Sequence, residues 1–404
     1  MASDPASPGG AGGSRVLAHA DMDAYYVEVE LLRRPELRGR KIIVAQDSGR
    51  SVVLSASYQA RADGVRSAMP LSRARQLSPH ALVLEPTMHR YREISAQIMA
   101  YFATTTDRVE QLSVDEAFLD LTGARRRLGS PEQIGRMIRS DIREQFGLPV
   151  TVGIADRKFI AKIASTRAKP DGLLLVPPPR RVEFLHTLPV RALWGVGGKT
   201  AAALEGLGIS TVEQLAHTPA DSLRRRFGVH GEQLHRLAWG EDDREVETER
   251  AEKSIGAEET FAEDIAEEKV LREELLRLSH KVAGRLRASA MTAQGVALKL
   301  RYRDFETHTR SATLPHPTHS GLTLYSTAVS LLEKMGERPQ PVRLIGVRAE
   351  RLQHDVGALQ LSFDRAETNW VDAENAVDAV ARRFPGASVA PASLLSREPR
   401  PEIE

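Results

Sequence analysis

Two short acidic stretches are the first places where this chain could do chemistry. Asp21-Met22-Asp23 ends the apolar run VLAHA, and Asp115-Glu116 sits inside QLSVDEAFLDL. A carboxylate among apolar neighbours is costly unless it is paired or holds a cation. Each stretch alone reads equally well as a turn or a cap. Together they place hard oxygen donors on two adjacent strands, a set that suits magnesium far better than zinc. Pairs of magnesium ions held this way serve phosphoryl and nucleotidyl transfer. The chain has no cysteine, which excludes thiol nucleophiles, disulfide frameworks and thiolate-bound zinc. His316 and His319 in PHPTH have a spacing that could hold a metal, but the flanking prolines point to a loop.

Cationic groups gather in other segments. SYQARADGVRSAMP carries Tyr58, Arg61 and Arg66 beside small residues. A Tyr and an Arg one helical turn apart can reach one anion, and Arg forks phosphate oxygens. The same segment also reads as a solvated helix start. AKIASTRAKPDG supplies Lys162, Arg167 and Lys169; Lys169, just ahead of Pro170, is placed as a point charge for a triphosphate. WGVGGKTAAALEGLGISTVEQL fits a helix-hairpin-helix, with Gly195, Gly197 and Gly198 ahead of Lys199. Glycines there let backbone amides approach a phosphate, and such hairpins hold nucleic-acid backbone without reading sequence. In GVALKLRYRDF, Val296, Leu298, Leu300 and Tyr302 share one strand face, while Lys299, Arg301 and Arg303 share the other. Residues 277–310 carry eight basic side chains against Asp304 and Glu306, and residues 258–274 eight acids against Lys269 and Arg272. The formal charge of +2 therefore hides segregation.

The scaffold for these groups follows from pattern. The 404 residues, 41% hydrophobic and 27% charged, suit two to four globular domains. No apolar run reaches the roughly 18 residues of a membrane span, and the first residues lack the features of a signal peptide; a cytoplasmic protein is expected. Residues 1–14, rich in Gly, Ser, Pro and Ala, read as a disordered leader. Strands are expected at VLAHADM, KIIVA, SVVLSAS and TVGIAD, and two more meet at an acidic corner in RVEQLSVDEAFLDLTG. Helices are expected over 24–32, 58–63, 70–77, 89–103, 131–146 and 158–168. The triplet at Pro177 closes this α+β region, and 182–240 reads as short helices punctuated by glycine. A charged linker follows, then a third region with helices over 267–289 and 320–335, and a helix-like stretch over 371–384.

In order along the chain, DMDAYYVEVE, SYQARADGVRSAMP, YREIS, SVDEAFLD, GIADRKFIAKIASTRAKPDG, the hairpin and KSIGAEETF make a set of motifs. In these the chain resembles the Y-family of translesion DNA polymerases, most closely its bacterial DinB, or DNA polymerase IV, branch. The resemblance covers residues 15–350. It implies an α+β right-hand polymerase. The palm would be 15–36 and 91–176, small fingers 37–90, a helical thumb 177–240, a linker 241–252, an α/β little finger 253–352 and a C-terminal tail 353–404. It implies template-directed, error-prone synthesis from dNTPs on primer-template DNA, by a monomer that touches no membrane. A non-catalytic DNA- and clamp-binding adaptor of the same family is the alternative. Asp21, Asp115 and Glu116, with the Met22 carbonyl, fall on the metal-binding positions for two Mg2+ ions, with Mn2+ as a substitute. Tyr58, Arg61 and Lys169 match the triphosphate positions, and Tyr26 the aromatic steric gate against a 2′-hydroxyl. Gly195, Gly197, Lys199, Lys299, Arg301 and Arg303 would touch DNA. Gln360, Leu361 and Phe363 in QLSFD resemble the peptide that docks on a sliding clamp. The chain departs from the common pattern at Arg157, where many members have Asn, and at Leu54, where a smaller residue often stands.

Overall fold

The computed structural model describes residues 15–249, 251–336, 338–354, 365–384, 391 and 394. It falls into two units, Met1–Asp47 with Ser51–Arg250, and Ser48–Arg50 with Ala251–Glu404. Residues 1–14 and the QLSFD peptide lie outside the described residues.

The first unit runs β1 (Leu17–Met22), α1 (Tyr25–Arg33), β2 (Ile42–Val44), β3 (Ser55–Ala56), α2 (Tyr58–Ala62), α3 (Leu71–Leu77), β4 (Leu82–Leu84), α4 (Met88–Thr105), β5 (Val109–Gln111), β6 (Glu116–Asp120), α5 (Arg125–Leu128), α6 (Pro131–Phe146), β7 (Val150–Ala155), α7 (Lys158–Ala168) and β8 (Leu173–Leu175). Five strands form one sheet in the order β5-β6-β1-β7-β8, and three form a small sheet in the order β3-β2-β4. Strand β1 is central and antiparallel to both neighbours. Its alternation assigns two faces. Val16, Ala18, Ala20 and Met22 pack with Ile98 of α4 and Ile134, Ile138 and Ile142 of α6. Leu17 packs on the other side with Phe118, Phe159 and Ile160. Helix α6 begins with a capping box between Ser130 and Gln133, as its residues dictate.

The expected SVVLSAS strand is shorter than its apolar pattern suggests. Only Ser55–Ala56 pairs with β2. Its earlier half turns to the segment before α3 instead, where Val53 and Ala68 exchange backbone bonds with Met69 and Val53. A β-branched run satisfies its backbone with whichever partner the chain brings near, and periodicity cannot name that partner.

Five helices follow: α8 (Arg181–His186), α9 (Gly198–Glu205), α10 (Val212–His217), α11 (Ala220–Phe227) and α12 (Val229–Ala238). Residues 241–249 form no helix or strand, yet they do not hang free of the first unit. Val246 is buried, Lys158 donates to the Glu245 carbonyl (2.9 Å), and the Glu247 N–H donates to Glu110 (2.8 Å).

The second unit holds β9 (Ser254–Ile265), α13 (Glu268–Ala288), β10 (Met291–Tyr302), β11 (Thr307–Thr318), α14 (Gly321–Lys334), β12 (Val342–His354) and α15 (Arg365–Arg383). Its sheet has the order β11-β10-β12-β9. One sheet face, with Val296, Leu298, Leu300 and Tyr302, packs under α13 and α14. The PHPTH segment is not a loop: Pro315–Thr318 complete β11, with Thr318 opposite Ala293. An edge strand tolerates proline because one row of its N–H groups has no ladder partner. Among the described residues no helix is long and apolar enough to cross a membrane.

Candidate active site

The register of the five-stranded sheet builds the site. Asp21 stands opposite Glu116 on β6 and opposite Thr151 on β7. One step inward, His19 stands opposite Phe118 and Gly153. Side chains two apart on a strand share a face, so His19 and Asp21 face the same helix, α7. Gly153 is what admits that helix. A Cβ there would fall 2.1 Å from the Ala161 carbonyl oxygen and 2.2 Å from the Ser165 nitrogen. The close approach brings Lys162 and Ser165 directly over His19 and Glu116.

The acidic pair is held by lysines. Lys169 Nζ donates to Asp21 Oδ1 (2.6 Å), and Lys162 Nζ donates to Glu116 Oε2 (2.5 Å). Burial raises the Asp21 carboxyl above its ordinary value, and the Lys169 ammonium offsets this only in part. Burial pushes Glu116 the same way, but bonds to His19 and Lys162 outweigh it and lower that carboxyl to about 2. Glu116 is thus a firm carboxylate, while Asp21 is poised to gain from a further cation.

Ligand atoms of His19, Asp21 and Glu116 all lie within 4.8 Å of one another. His19 Nε2–H donates to Glu116 Oε2 (3.1 Å), and Nδ1 accepts from the Ser165 hydroxyl (2.7 Å). Burial lowers the His19 pKa, in keeping with a neutral ring. Two carboxylates at neighbouring strand ends fit a hard divalent cation.

Not every expected residue joins this set. The Asp115 carboxylate lies outside it and accepts from the Ser113 hydroxyl (2.5 Å), while the Asp115 carbonyl accepts from the Met22 N–H (2.9 Å). The Met22 side chain is buried on the opposite face. Asp23 is likewise outside the cluster of His19, Asp21 and Glu116. It is buried and accepts from Tyr58 Oη (2.7 Å), Thr151 Oγ1 (2.8 Å) and the Asp171 N–H (2.7 Å). Through Tyr58 it ties the three-stranded sheet region to the five-stranded one. Arg61 sits beside this link, its guanidinium 5.0 Å from the Tyr58 ring centre and its Nε bonded to the Ala56 carbonyl (2.8 Å). Tyr26 is the second residue of α1, after buried Tyr25, and its ring stacks on Tyr91 of α4 with centroids 4.3 Å apart.

The hairpin glycines behave differently from Gly153. Gly197 caps α9, and a Cβ on Gly197 or Gly198 would meet nothing within 4 Å. Internal packing therefore does not require glycine there, and the helix N-terminus is open to a phosphate. In the second unit, Lys299 and Arg301 lie on the sheet face away from the helices. Lys299 pairs with Glu258 (2.6 Å), Arg301 Nε donates to Thr307 Oγ1 (2.9 Å), and Arg303 lies 3.9 Å from Asp264. The expected clamp residues Gln360, Leu361 and Phe363 fall outside the described residues.

Sequence reasoning missed three members of the site: His19, Asp23 as a structural ligand of Tyr58, and Tyr91. His19 had a readable signal, since it stands two residues before Asp21 on a strand. For Asp23 and Tyr91 the partner lies far away in the chain, and no local pattern reveals it.

A model of the impB/mucB/samB family matches residues 20–166, its C-terminal domain matches 252–363, and the IMS family HHH motif matches 182–209. The DNA polymerase IV of Desulfatibacillum aliphaticivorans is 41% identical over 384 residues, which is 94% of this chain and 97% of that protein. That of Streptomyces coelicolor is 41% identical over 358 residues, 87% of this chain and 74% of the relative. Among solved structures, the Y-family DNA polymerase chimera Dbh-Dpo4(243-245)-Dbh superposes with a TM-score of 0.77 at 26% identity, covering 84% of this chain and 99% of the chimera. An insertion ternary complex of Dbh DNA polymerase matches with a TM-score of 0.61 at 26% identity, covering 83% and 98%. Motifs, site and fold converge, and the chain belongs to the DNA polymerase IV branch of the Y-family, the error-prone, template-directed translesion DNA polymerases.

Proposed function

We propose that this polymerase joins a dNTP to a primer 3′-hydroxyl at the strand ends where β1 meets β6, with Asp21, Asp115 and Glu116 holding two magnesium ions. The carrying observation is the cross-strand pairing of Asp21 with Glu116, each with a lysine on its carboxylate. Asp115, held by Ser113, enters on its motif alone. Bound there, magnesium would lower the pKa of the attacking hydroxyl and neutralise charge on the leaving pyrophosphate. The chain's own groups position the reactants. Lys169, Tyr58 and Arg61 bind the triphosphate, and an ammonium can turn from a carboxylate to a polyphosphate as a point charge. Tyr26 lies under the sugar and excludes a 2′-hydroxyl. The α9 N-terminus at Gly195, Gly197 and Lys199, and the sheet-face cations Lys299, Arg301 and Arg303, hold DNA phosphates, a contact that weakens with salt. The Dbh ternary complex supports binding of template and nucleotide by this fold.

The test is primer extension by the purified protein with magnesium and dNTPs. Asp21→Asn and Glu116→Gln should each lose about 10²–10³-fold in rate, the scale of a lost transition-state charge contact, and should still bind primer-template DNA. Extension at the native rate in either variant rejects the site. The non-catalytic adaptor reading has no observation in its favour, since Asp21, Asp115 and Glu116 are all retained.

Gln360, Leu361 and Phe363 are proposed to dock on a sliding clamp, on the strength of the QLSFD motif following the C-terminal sheet domain. Replacing all three by Ala should abolish clamp stimulation and leave basal extension intact. Undiminished stimulation would place the contact elsewhere.

A further inference from the structure

A steric gate works only if its ring cannot retreat. The structure shows what stands behind Tyr26. The rings of Tyr26 and Tyr91 are stacked, with centroids 4.3 Å apart and planes 19° apart. Tyr91 is fully buried, at 0% exposure. Its hydroxyl donates to Glu30 Oε1 (2.8 Å), and the other Glu30 oxygen is paired with Arg34 (3.0 Å). At its backbone end, the Tyr91 carbonyl accepts from the Tyr25 hydroxyl (2.7 Å). Tyr25, Tyr26 and Glu30 all belong to α1, so the helix that carries the gate also grips the ring behind it at both ends. Tyr25 itself does not back the gate in this way, since its ring is 5.7 Å from that of Tyr26 and tilted by 47°.

We infer that Tyr91 is a positioning residue for sugar selectivity: its locked ring fixes the depth of the Tyr26 ring and so decides whether a 2′-hydroxyl fits. This rests on the reading of Tyr26 as the gate. The physical reason is close packing. A ring with a rigid stacked neighbour has no room to yield, whereas a smaller neighbour leaves a gap into which it can move. A misplacement of about 1 Å is enough to change a rate by up to about 10²-fold.

The experiment measures kcat/KM for a dNTP and the matching rNTP in the native protein and in Tyr26→Ala, Tyr91→Leu, Tyr91→Phe and the Tyr26→Ala/Tyr91→Leu double variant. Tyr91→Leu is expected to lose about tenfold or more in selectivity, mostly through a higher rNTP value. Tyr91→Phe keeps the stacked ring and should stay close to native selectivity. The double variant should be no less selective than Tyr26→Ala alone, because Tyr91 acts through Tyr26. General damage to the fold would lower both nucleotides alike and leave the ratio unmoved. Native selectivity in Tyr91→Leu, with selectivity lost in Tyr26→Ala, overturns the role of Tyr91 and leaves the gate standing. Native selectivity in Tyr26→Ala overturns the gate itself. Should Tyr91→Leu fail to fold, Tyr91→Met replaces it; equal selectivity in the Met and Phe variants overturns the inference.

Discussion

The half-buried carboxylates of the candidate site in the first unit and a buried carboxylate of the second unit are satisfied in opposite ways. In the first unit, Asp21 and Glu116 are each held by the ammonium of a lysine. In the second, Glu374 of α15 is 5% exposed and surrounded by rigid donors. It accepts from the Gly321 N–H that opens α14 (2.9 and 3.1 Å), from Arg287 (2.6 Å) and from the Trp370 indole (2.9 Å). The same Arg287 is forked onto Asp378 and donates to the His319 carbonyl (3.0 Å). A guanidinium is planar, permanently charged and pre-organised, whereas an ammonium is a mobile point charge on a flexible stem. The second cluster therefore locks α15 onto the C-terminal sheet domain, and the first leaves its carboxylates able to change partners. A group that holds structure is saturated by donors that cannot leave; the groups proposed for chemistry keep donors that can.

That contrast can be broken at its strongest point first. Arg287→Ala leaves Glu374 buried with its guanidinium partner gone, and such removals cost about 3–5 kcal/mol. Chemical denaturation of the full chain should show the C-terminal unit unfolding earlier by this amount while the first unit keeps its midpoint. A loss under about 1 kcal/mol would show that the cluster is not a lock.

A smaller effect sharpens the other side. Lys169→Met should cost about 1 kcal/mol or less in stability, as for a partly solvated ion pair. The KM for dNTP should rise by about tenfold or more, the scale of a charge-assisted contact with phosphate. If Lys169→Met destabilised the first unit as severely as Arg287→Ala does the second, the lysine would be structural and the contrast would fall.

Much of the scaffold was legible in the chain. The 131–146 and 158–168 helices carry their own apolar spacing, and the first carries its capping box as well. The acidic corner at Asp115-Glu116 and the basic face of GVALKLRY were visible because period two is a property of neighbours in sequence. The PHPTH segment misled, since proline signals a loop unless an edge strand accepts it. The reach of SVVLSAS was overstated for a related reason: an apolar run shows that a strand is wanted, and not with whom it pairs. The charge of residues 241–249 suggested a linker but concealed Val246, the one apolar side chain that anchors the segment.

Sequence by itself determined which residue types stand where along each element, and with them the family and the chemistry. Helical and strand periods, and the cost of burying charge, act over a few residues and can be read from a string. Only the tertiary structure decided which side chains meet. Glu116 reaches Lys162 and His19 across 46 and 97 residues, and Asp21 reaches Lys169 across 148. Those meetings follow from strand register and from the close approach of α7 at Gly153, and both are set by the packing of the whole sheet.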